Sequence, residues 1–536
     1  MAATCVQGNE LCDEPCKKGR DVKEASTQSD SKLQGHVPRL SRVNLFTLLS
    51  LWMERFPRES PDNPDDHPDD HPAVRGSGLV VVREGKVLGL HSSGPELHAG
   101  QVAVIRQGGA GLLGSQLYFS RRPCATCLKM VVNAGVSHIF FWPGDPEVSM
   151  LRPAAPGSAP DRAPGLSPKA PGLSPEAPGL SPEARLDLVA TEKLKANSRA
   201  PVCVALRPLA PGMAQYVEQK SRTGDFMERV QEDEEDFSDV FSRRRRTHLQ
   251  ELSQEFLIAS EQQHRAMLTH MGLENFCEDP YLSSLRHNMV ELVEVLATIS
   301  AGLPLLNHGF YSPGNGSAAR GPQPPAVSQD VACHCMIQAT LLAYRTEDPK
   351  VGVGAVIWAE GESDGCDGTG RLDLVGCGYN AYPVGSQYAQ YPQMDTKHVD
   401  RHSTKYRYII HAEQNALTFR SREIRAGQRT LLFVTKCPCD ECVPLIRAAG
   451  ITHIYTTDQD CGKDKGEISY LRFGGLQGIS KLIWQKCPPV SPTLTNGCGG
   501  KRQRRGSHSD QERHDDKRLC CPDMTPDLSS PLPPVC

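Results

Sequence analysis

The sequence lacks any uninterrupted apolar run approaching the ~20 residues of a membrane-spanning helix, which argues against a helical membrane protein. Its opening residues lack a secretory leader: MAATCVQGNELCDEPCKKGRD is broken by charges and has no apolar centre. Basic excess is missing too. With 59 Lys and Arg against 63 Asp and Glu, the formal net charge is -4, so there is no global electrostatic case for a nucleic-acid coat protein. The last residues, PPVC, do not place Cys536 where prenylation needs it. Without a secretory route, the 20 cysteines are expected as reduced thiols or metal ligands rather than disulfides, in a soluble protein inside the cell.

What is present is a chain of 536 residues, 38% hydrophobic, long enough for two or three domains with real cores. Yet 42 Pro, 47 Gly and a mean hydropathy of -0.41 say that part of it is not packed. Low-complexity stretches mark the joints. PDNPDDHPDDHP at 61–72 is read as a solvated acidic loop, and the seven-residue APGLSP repeat within 151–184 carries prolines that forbid a regular element. The expected organisation is a disordered leader at 1–37, a first globular unit at 38–215, a helical segment with a Gly/Pro-rich linker at 216–325, a second unit at 326–487, and a disordered basic tail at 488–536.

The two units share one grammar. In the second, VACHCMIQATLLAYR reads as a helix, VGVGAVIW and LDLVGCGYN as strands, HAEQNALTF as a helix, LLFVTK as a strand, PCDECVPLIRAAG as a helix and THIYTT as a strand. The first unit runs FTLLSLWMERF, GLVVVREGKVLGL, HAGQVAVIR, QLYFSR, PCATCLKMVVNAG and SHIFFW in the same order. Such alternation predicts a mixed sheet covered by helices, an α/β sandwich, built twice.

In the second unit His411 precedes Cys439 by 28 positions, and Cys442 follows at i+3. Spacing by three predicts one helical face for the two cysteines, with Pro438 in a first turn that tolerates a missing N–H. One His and two Cys suit Zn2+ and leave a fourth position for water, as in a catalytic rather than a closed structural site. Cys437, adjacent to the trio, is the alternative fourth ligand. Glu413 lies two residues from His411, so the pair serves one site only if the motif straddles a helix start. Zinc lowers the pKa of a bound water from about 16 to about 7, and an adjacent carboxylate can ferry the proton released. H-x-E with a downstream P-C-x-x-C is the signature of zinc nucleobase deaminases, and His411-Ala412-Glu413 with Pro438-Cys439-Asp440-Glu441-Cys442 supplies both halves.

With DPKVGVGAVI, GCGYNAYPVG and KYRYIIHAEQNAL, the second unit resembles the cytidine and deoxycytidylate deaminase family. That resemblance implies two tandem cytidine-deaminase-like three-layer α/β/α domains, each around a central mixed sheet. It implies Zn2+ as cofactor, a pyrimidine nucleoside or nucleotide as substrate, and a homo-oligomer. By resemblance Asn380 bonds the sugar, the Ala412 backbone meets the pyrimidine ring, and Tyr406 and Tyr408 line the approach. Lys397, Arg401, Lys405 and Arg407 are candidates to meet a phosphate or to face water.

The first unit keeps His98, Cys124 and Cys127 as a candidate second metal site, but Gly100 stands where Glu413 stands in the second. Loss of such general acid–base help costs 10²- to 10⁴-fold per step, so the first unit is expected to be inert. Its role is then packing against its partner unit, or binding an allosteric nucleotide. His91 is read at the place of Asn380. Arg243 to Arg246 are expected on a solvated face beside QEDEEDFSD, and Leu292, Val295, Leu296 and Ile299 as a core-facing helical stripe rather than an export signal. Lys501, Arg502, Arg504 and Arg505, with Lys517 and Arg518, form basic clusters compatible with nuclear import, which adds the nucleus to the expected cytoplasmic location.

Three functions compete: deamination of a free cytosine nucleoside or nucleotide, editing of cytosine in a polynucleotide, and non-catalytic binding with retained zinc. The acidic charge balance argues against the second, since a polynucleotide groove needs basic and stacking residues. The intact Glu413 argues against the third.

Overall fold

The computed structural model describes residues 38–57, 76–148, 182–204, 206–222, 237–303, 308–313, 326–348, 351–361, 368–386, 407–458, 460–465 and 468–487. The 61–72 loop, the APGLSP repeat up to residue 181 and the two chain ends lie outside them. In chain order the elements begin α1 (Arg42–Glu54), β1 (Gly78–Arg83), β2 (Lys86–Ser92), α2 (Ala99–Leu112), β3 (Gln116–Phe119), α3 (Ala125–Asn133), β4 (His138–Phe141), α4 (Pro182–Asn197) and β5 (Val202–Val204). A helical stretch follows: α5 (Met213–Arg222), α6 (Phe237–Phe256), α7 (Glu261–His270) and α8 (Tyr281–Ala301). Then come β6 (His308–Tyr311), α9 (Gln329–Ala343), β7 (Gly354–Glu360), β8 (Leu372–Tyr379), α10 (Ala412–Thr418), β9 (Thr430–Val434), α11 (Cys442–Ala448), β10 (His453–Thr456), α12 (Leu471–Gly474) and β11 (Ser480–Lys486).

The strands form two mixed sheets, β2-β1-β3-β4-β5 and β6-β11-β10-β9-β7-β8. Each starts as an antiparallel hairpin and continues as a parallel run: β1 is antiparallel to β2 and β3, with β3, β4 and β5 parallel, while β7 is antiparallel to β8 and β9, with β9, β10 and β11 parallel. Both hairpins carry a bulge at the same step, between Val81 and Val82 in one and between Ile357 and Trp358 in the other. A bulge bends and twists its strand, so sharing it gives both sheets the same local curvature. The chain is an α/β protein with the same sheet built twice.

Helices cover both faces of each sheet. On one face lie α1 and α9, which are apolar nearly all round and therefore buried: Leu45, Leu48, Leu49 and Leu51 on α1 and Val331, Met336, Leu341 and Leu342 on α9 all join one core that reaches across both sheets. The two helices meet. Trp52 donates its indole N–H to the His334 carbonyl at 3.0 Å and stacks on the His334 ring at 4.7 Å between centroids. The opposite face of the second sheet has a core of its own, with Ile357, Val375, Ala412, Ala416 and Ile446 among its buried members.

Edges β2 and β8 also approach each other. Asp373 of β8 takes Arg106 of α2 at 2.7 Å and Arg422 at 2.5 Å, and Lys86 of β2 sits 3.8 Å over the Phe419 ring.

Three expectations from sequence change here. The segment read as helix and linker at 216–325 contributes a strand: β6 pairs antiparallel with β11, and Phe310 packs its ring 4.8 Å from Trp484 and 5.5 Å from Tyr455. Arg244 and Arg245 are not on a free solvated face. They tie α6 to the end of α8, donating to the Leu303 carbonyl at 3.1 Å and to Thr298 Oγ1 at 2.9 Å. Third, α4 starts at Pro182, in the last unit of the 163–183 repeat whose prolines are read as forbidding a regular element; a proline at the first helical position costs no hydrogen bond. The stripe Leu292, Val295, Leu296 and Ile299 is buried core.

Candidate metal centre and active site

His411 is the N-cap of α10, with extended φ and ψ of -72° and 159°, and its own N–H donates to Gln414 Oε1 at 2.9 Å. The helix begins one residue later, so Glu413 falls in the first turn and the His side chain is free of helical spacing. The first sheet repeats this start: His98 is the N-cap of α2 and donates to Gln101 Oε1 at 2.9 Å.

The cysteines depart from the expected geometry. Cys439 lies before α11 rather than on it; the helix opens at Cys442, and a turn closes between them through Cys442 N–H to the Cys439 carbonyl at 3.0 Å. Pro444 explains the difference. Its ring would clash with the carbonyl four residues back in a longer helix, whereas a start at Cys442 leaves it in the first turn, where its missing N–H costs nothing. The first unit has no proline in ATCLKMVVN, and there the helix starts earlier, with Cys124 as N-cap and Cys127 inside α3.

His411 Nδ1 is 3.3 Å from both Cys439 Sγ and Cys442 Sγ. Zinc bonds of about 2.05 Å to nitrogen and about 2.3 Å to sulfur in a tetrahedron give N···S edges of about 3.5 Å, so the trio fits this ion. Cys437 does not join it: its thiol donates to the Asp458 carbonyl at 3.2 Å and its N–H to Asp458 Oδ2 at 3.2 Å. Among the described residues the cluster therefore offers His411, Cys439 and Cys442.

The electrostatics suit a cation. The Cys439 sulfur accepts hydrogen bonds from the Cys442 thiol and from His411, which holds it down at about 4 against the opposing effect of burial, while Cys442, keeping the shared proton, is pushed up. Burial alone would depress His411, but Cys439 and Glu413 raise it to about 9. A bound metal takes the place of these protons. Glu413 is buried at 4% exposure, and burial pushes its carboxyl up to about 7.

Asn380, at the end of β8, has its side chain held by the chain: Oδ1 accepts from Thr346 Oγ1 at 2.6 Å and Val353 N–H at 2.8 Å, and Nδ2 donates one N–H to the Val351 carbonyl at 2.8 Å. It braces the turn leading into β7. Ala412 is fully buried and Tyr408 is 37% exposed. Tyr406, Lys397, Arg401 and Lys405, together with Lys501, Arg502, Arg504 and Arg505, lie outside the described residues.

His91 is not the counterpart of Asn380. The ladders pair Gly78 with Ser92 and Gly354 with Tyr379, so Ser93 follows Ser92 as Asn380 follows Tyr379. Ser93 Oγ also takes the Ser77 N–H at 2.9 Å, as Asn380 takes that of Val353. The glycine at 100 is held by packing as well as by lost chemistry: a Cβ there would sit 3.0 Å from Cys127 Cβ and 3.1 Å from its sulfur. One residue near the first cluster escaped sequence reading. Glu147, in the loop after β4, is buried with His98, Cys124 and Cys127, and its only sequence signal is a carboxylate in a Pro/Gly loop past the strand that follows the cysteines.

No helix among the described residues is long and apolar enough to cross a membrane. The family model described as the cytidine and deoxycytidylate deaminase zinc-binding region matches residues 329–457. The chain is 51% identical over 468 residues to the cytidine and dCMP deaminase domain-containing protein 1 of Danio rerio, covering 87% of this chain and 93% of that one. It is 33% identical over 156 residues to the deoxycytidylate deaminase of Pongo abelii, covering 29% of this chain and 80% of the relative. A solved structure, the dCMP deaminase of the cyanophage S-TIM5 in apo form, aligns at 22% identity over 29% of this chain and 98% of that chain with a TM-score of 0.20. With likeness that extends over nearly the whole length of one relative, the chain belongs to the cytidine and deoxycytidylate deaminase family.

Proposed function

We propose that the chain is a zinc-dependent hydrolase that converts the cytosine ring of a free cytidine or deoxycytidine nucleoside or nucleotide, deoxycytidine mono- or triphosphate above all, to its uracil counterpart and ammonia. One observation carries this: His411 Nδ1 stands 3.3 Å from two cysteine sulfurs at a helix start whose first turn also holds the buried Glu413. In this reading residues 326–487 form the catalytic unit and 38–215 an inert copy.

His411, Cys439 and Cys442 would hold the ion, which supplies a water acidified to about pKa 7 and so a nucleophile at neutral pH. Glu413 takes one proton of that water and delivers it to ring nitrogen N3 as oxygen bonds to C4; it then takes the second proton from that oxygen and gives it to the amino group, so that the C4–N bond breaks, a C4 carbonyl remains and ammonia leaves. Glu413, buried in the first turn of α10 two residues from His411, is the carboxylate placed to accept and return these protons, and each such transfer is worth about 10²- to 10⁴-fold. The Ala412 backbone borders the ring, and Asn380 orders the wall of the pocket through its bonds to Thr346, Val351 and Val353.

The test incubates the purified full chain with deoxycytidine, its mono- and triphosphates, and single-stranded DNA, and follows the loss of cytosine absorbance. Turnover of the free nucleotide is expected. Glu413→Ala is expected to abolish it while zinc content stays unchanged. Turnover of DNA alone, or a Glu413→Ala chain that still works, overturns the reading.

A further inference from the structure

The first sheet's cluster differs from the second by one ligand. We infer that His98, Cys124, Cys127 and Glu147 form a second zinc site, closed by four protein ligands, in which the Glu147 carboxylate occupies the position that the second cluster leaves to water.

The donor atoms of all four residues lie within 4.8 Å of one another, and all four residues are buried. His98 Nδ1 is 3.3 Å from Cys124 Sγ and 3.2 Å from Glu147 Oε2. A zinc tetrahedron with one nitrogen, two sulfurs and one oxygen calls for N···S and N···O edges of about 3.5 and 3.4 Å. Four protein ligands and no open position are the mark of a structural site.

The surroundings are built to hold the carboxylate. Ser77 donates its hydroxyl to Glu147 Oε1, the Cys124 N–H donates to Oε2 at 3.0 Å, and the Glu147 N–H is tied to the Arg122 carbonyl at 2.9 Å. Ser93, at the position of Asn380, holds Ser77 through their hydroxyls at 3.0 Å and also accepts the Ala99 N–H at 3.0 Å, beside His98. Such bonds behind a metal ligand fix its orientation. The polar position that braces the turn into β7 in one copy thus braces a ligand in the other. Among the described residues the His411 cluster has no equivalent of Glu147: after β10, Asp458 is bound by Cys437 and Lys436, Asp460 is bound by Lys463 and Lys465, and neither belongs to that cluster.

The closed site yields a spectroscopic test that does not depend on turnover. Elemental analysis of the full chain should find two zinc ions, and the C439S/C442S chain should keep one. With Co2+ in its place, that chain should show thiolate-to-cobalt absorption and tetrahedral bands that stay constant between about pH 6 and 9 and on addition of azide, since no position exchanges. Adding Glu147→Ala should open the site and make the bands respond to both. One zinc in the wild-type chain, a C439S/C442S spectrum that already responds to azide, or bands that remain indifferent after Glu147→Ala would overturn the inference. Should C439S/C442S not fold, cobalt in both sites of the wild-type chain gives the same reading: about half of the absorption should resist azide, and absorption that shifts entirely would overturn it.

Discussion

Gly378 lets β8 lie directly against α10, the helix that carries Glu413. A Cβ at residue 378 would come within 2.7 Å of both the Ala412 carbonyl oxygen and the Ala416 nitrogen and 2.8 Å of Asn415 Cβ, where ordinary contact begins at 3.4 Å. The blocking atoms are mostly backbone, so relief needs the helix to move by about 0.7 Å. Overpacking of this kind costs about 1–3 kcal/mol. Displacing a reacting group by about 1 Å costs about 10²-fold in rate, and Glu413 is rigidly attached to the carbonyl that must move. Gly378→Ala is therefore expected to lower kcat by about 10- to 100-fold, with KM affected less, and to lower the melting temperature. Steady-state kinetics on deoxycytidine monophosphate and thermal melts read these effects. Gly109→Ala is the control: a Cβ there meets nothing within 4 Å. A Gly378→Ala chain with wild-type kcat and melting temperature would refute the argument that strand and helix leave no room.

Cys437→Ser should leave zinc stoichiometry intact, because that side chain serves the Asp458 carbonyl, while Cys439→Ser should lose metal from the His411 site; elemental analysis separates them, and equal losses would contradict the assignment. Gly100→Glu in a Glu413→Ala background should show no deamination, since a side chain at 100 presses on Cys127 at 3.0 Å; measurable turnover would show that the first copy lacks only its carboxylate. His91 is held neutral, its pKa lowered to about 3 first by burial and then by Arg106 and Arg422, and it accepts from Gln107 Nε2 at 3.3 Å. Below 6.5 the unfolded chain takes up a proton that the folded one refuses, so this contribution to stability is complete above pH 6.5 and drains away as pH falls toward 3, at up to about 1.4 kcal/mol per pH unit. His91→Gln should flatten the pH dependence of unfolding free energy between about pH 6 and 5 by that amount, and an unchanged slope would refute it.

Elements with strong periodicity or apolar runs were legible in the sequence: α1, α9, β1 and β7 all match segments whose patterns repeat between the halves. The site motif was legible for the same reason, since residue type and spacing carry its chemistry. What stayed hidden depended on partners distant in the chain. HGFY becomes β6 only because β11 offers it an edge and Phe310 fills a gap between Trp484 and Tyr455. Arg244 and Arg245 looked solvated because nothing local shows that the end of α8 presents Leu303 and Thr298 to them. Glu147 sits in WPGDPEV, where no periodic pattern points anywhere, and it reaches His98 from a loop 49 positions later. The place of Ser93 emerged only from strand register, which pairs Gly78 with Ser92 as Gly354 pairs with Tyr379 and which letter matching does not show.

The contact of α1 with α9 and of Arg106 and Arg422 with Asp373 joins two copies of one fold that share a single polypeptide. Association between separate subunits obeys mass action and fails on dilution, but a tethered pair faces an effective concentration fixed by its linker. The first copy is thus a permanently attached mate, present at one-to-one stoichiometry however scarce the protein becomes. Selection on that copy can then act through its shape, so the residues of the seam should tolerate less change than its outer surface.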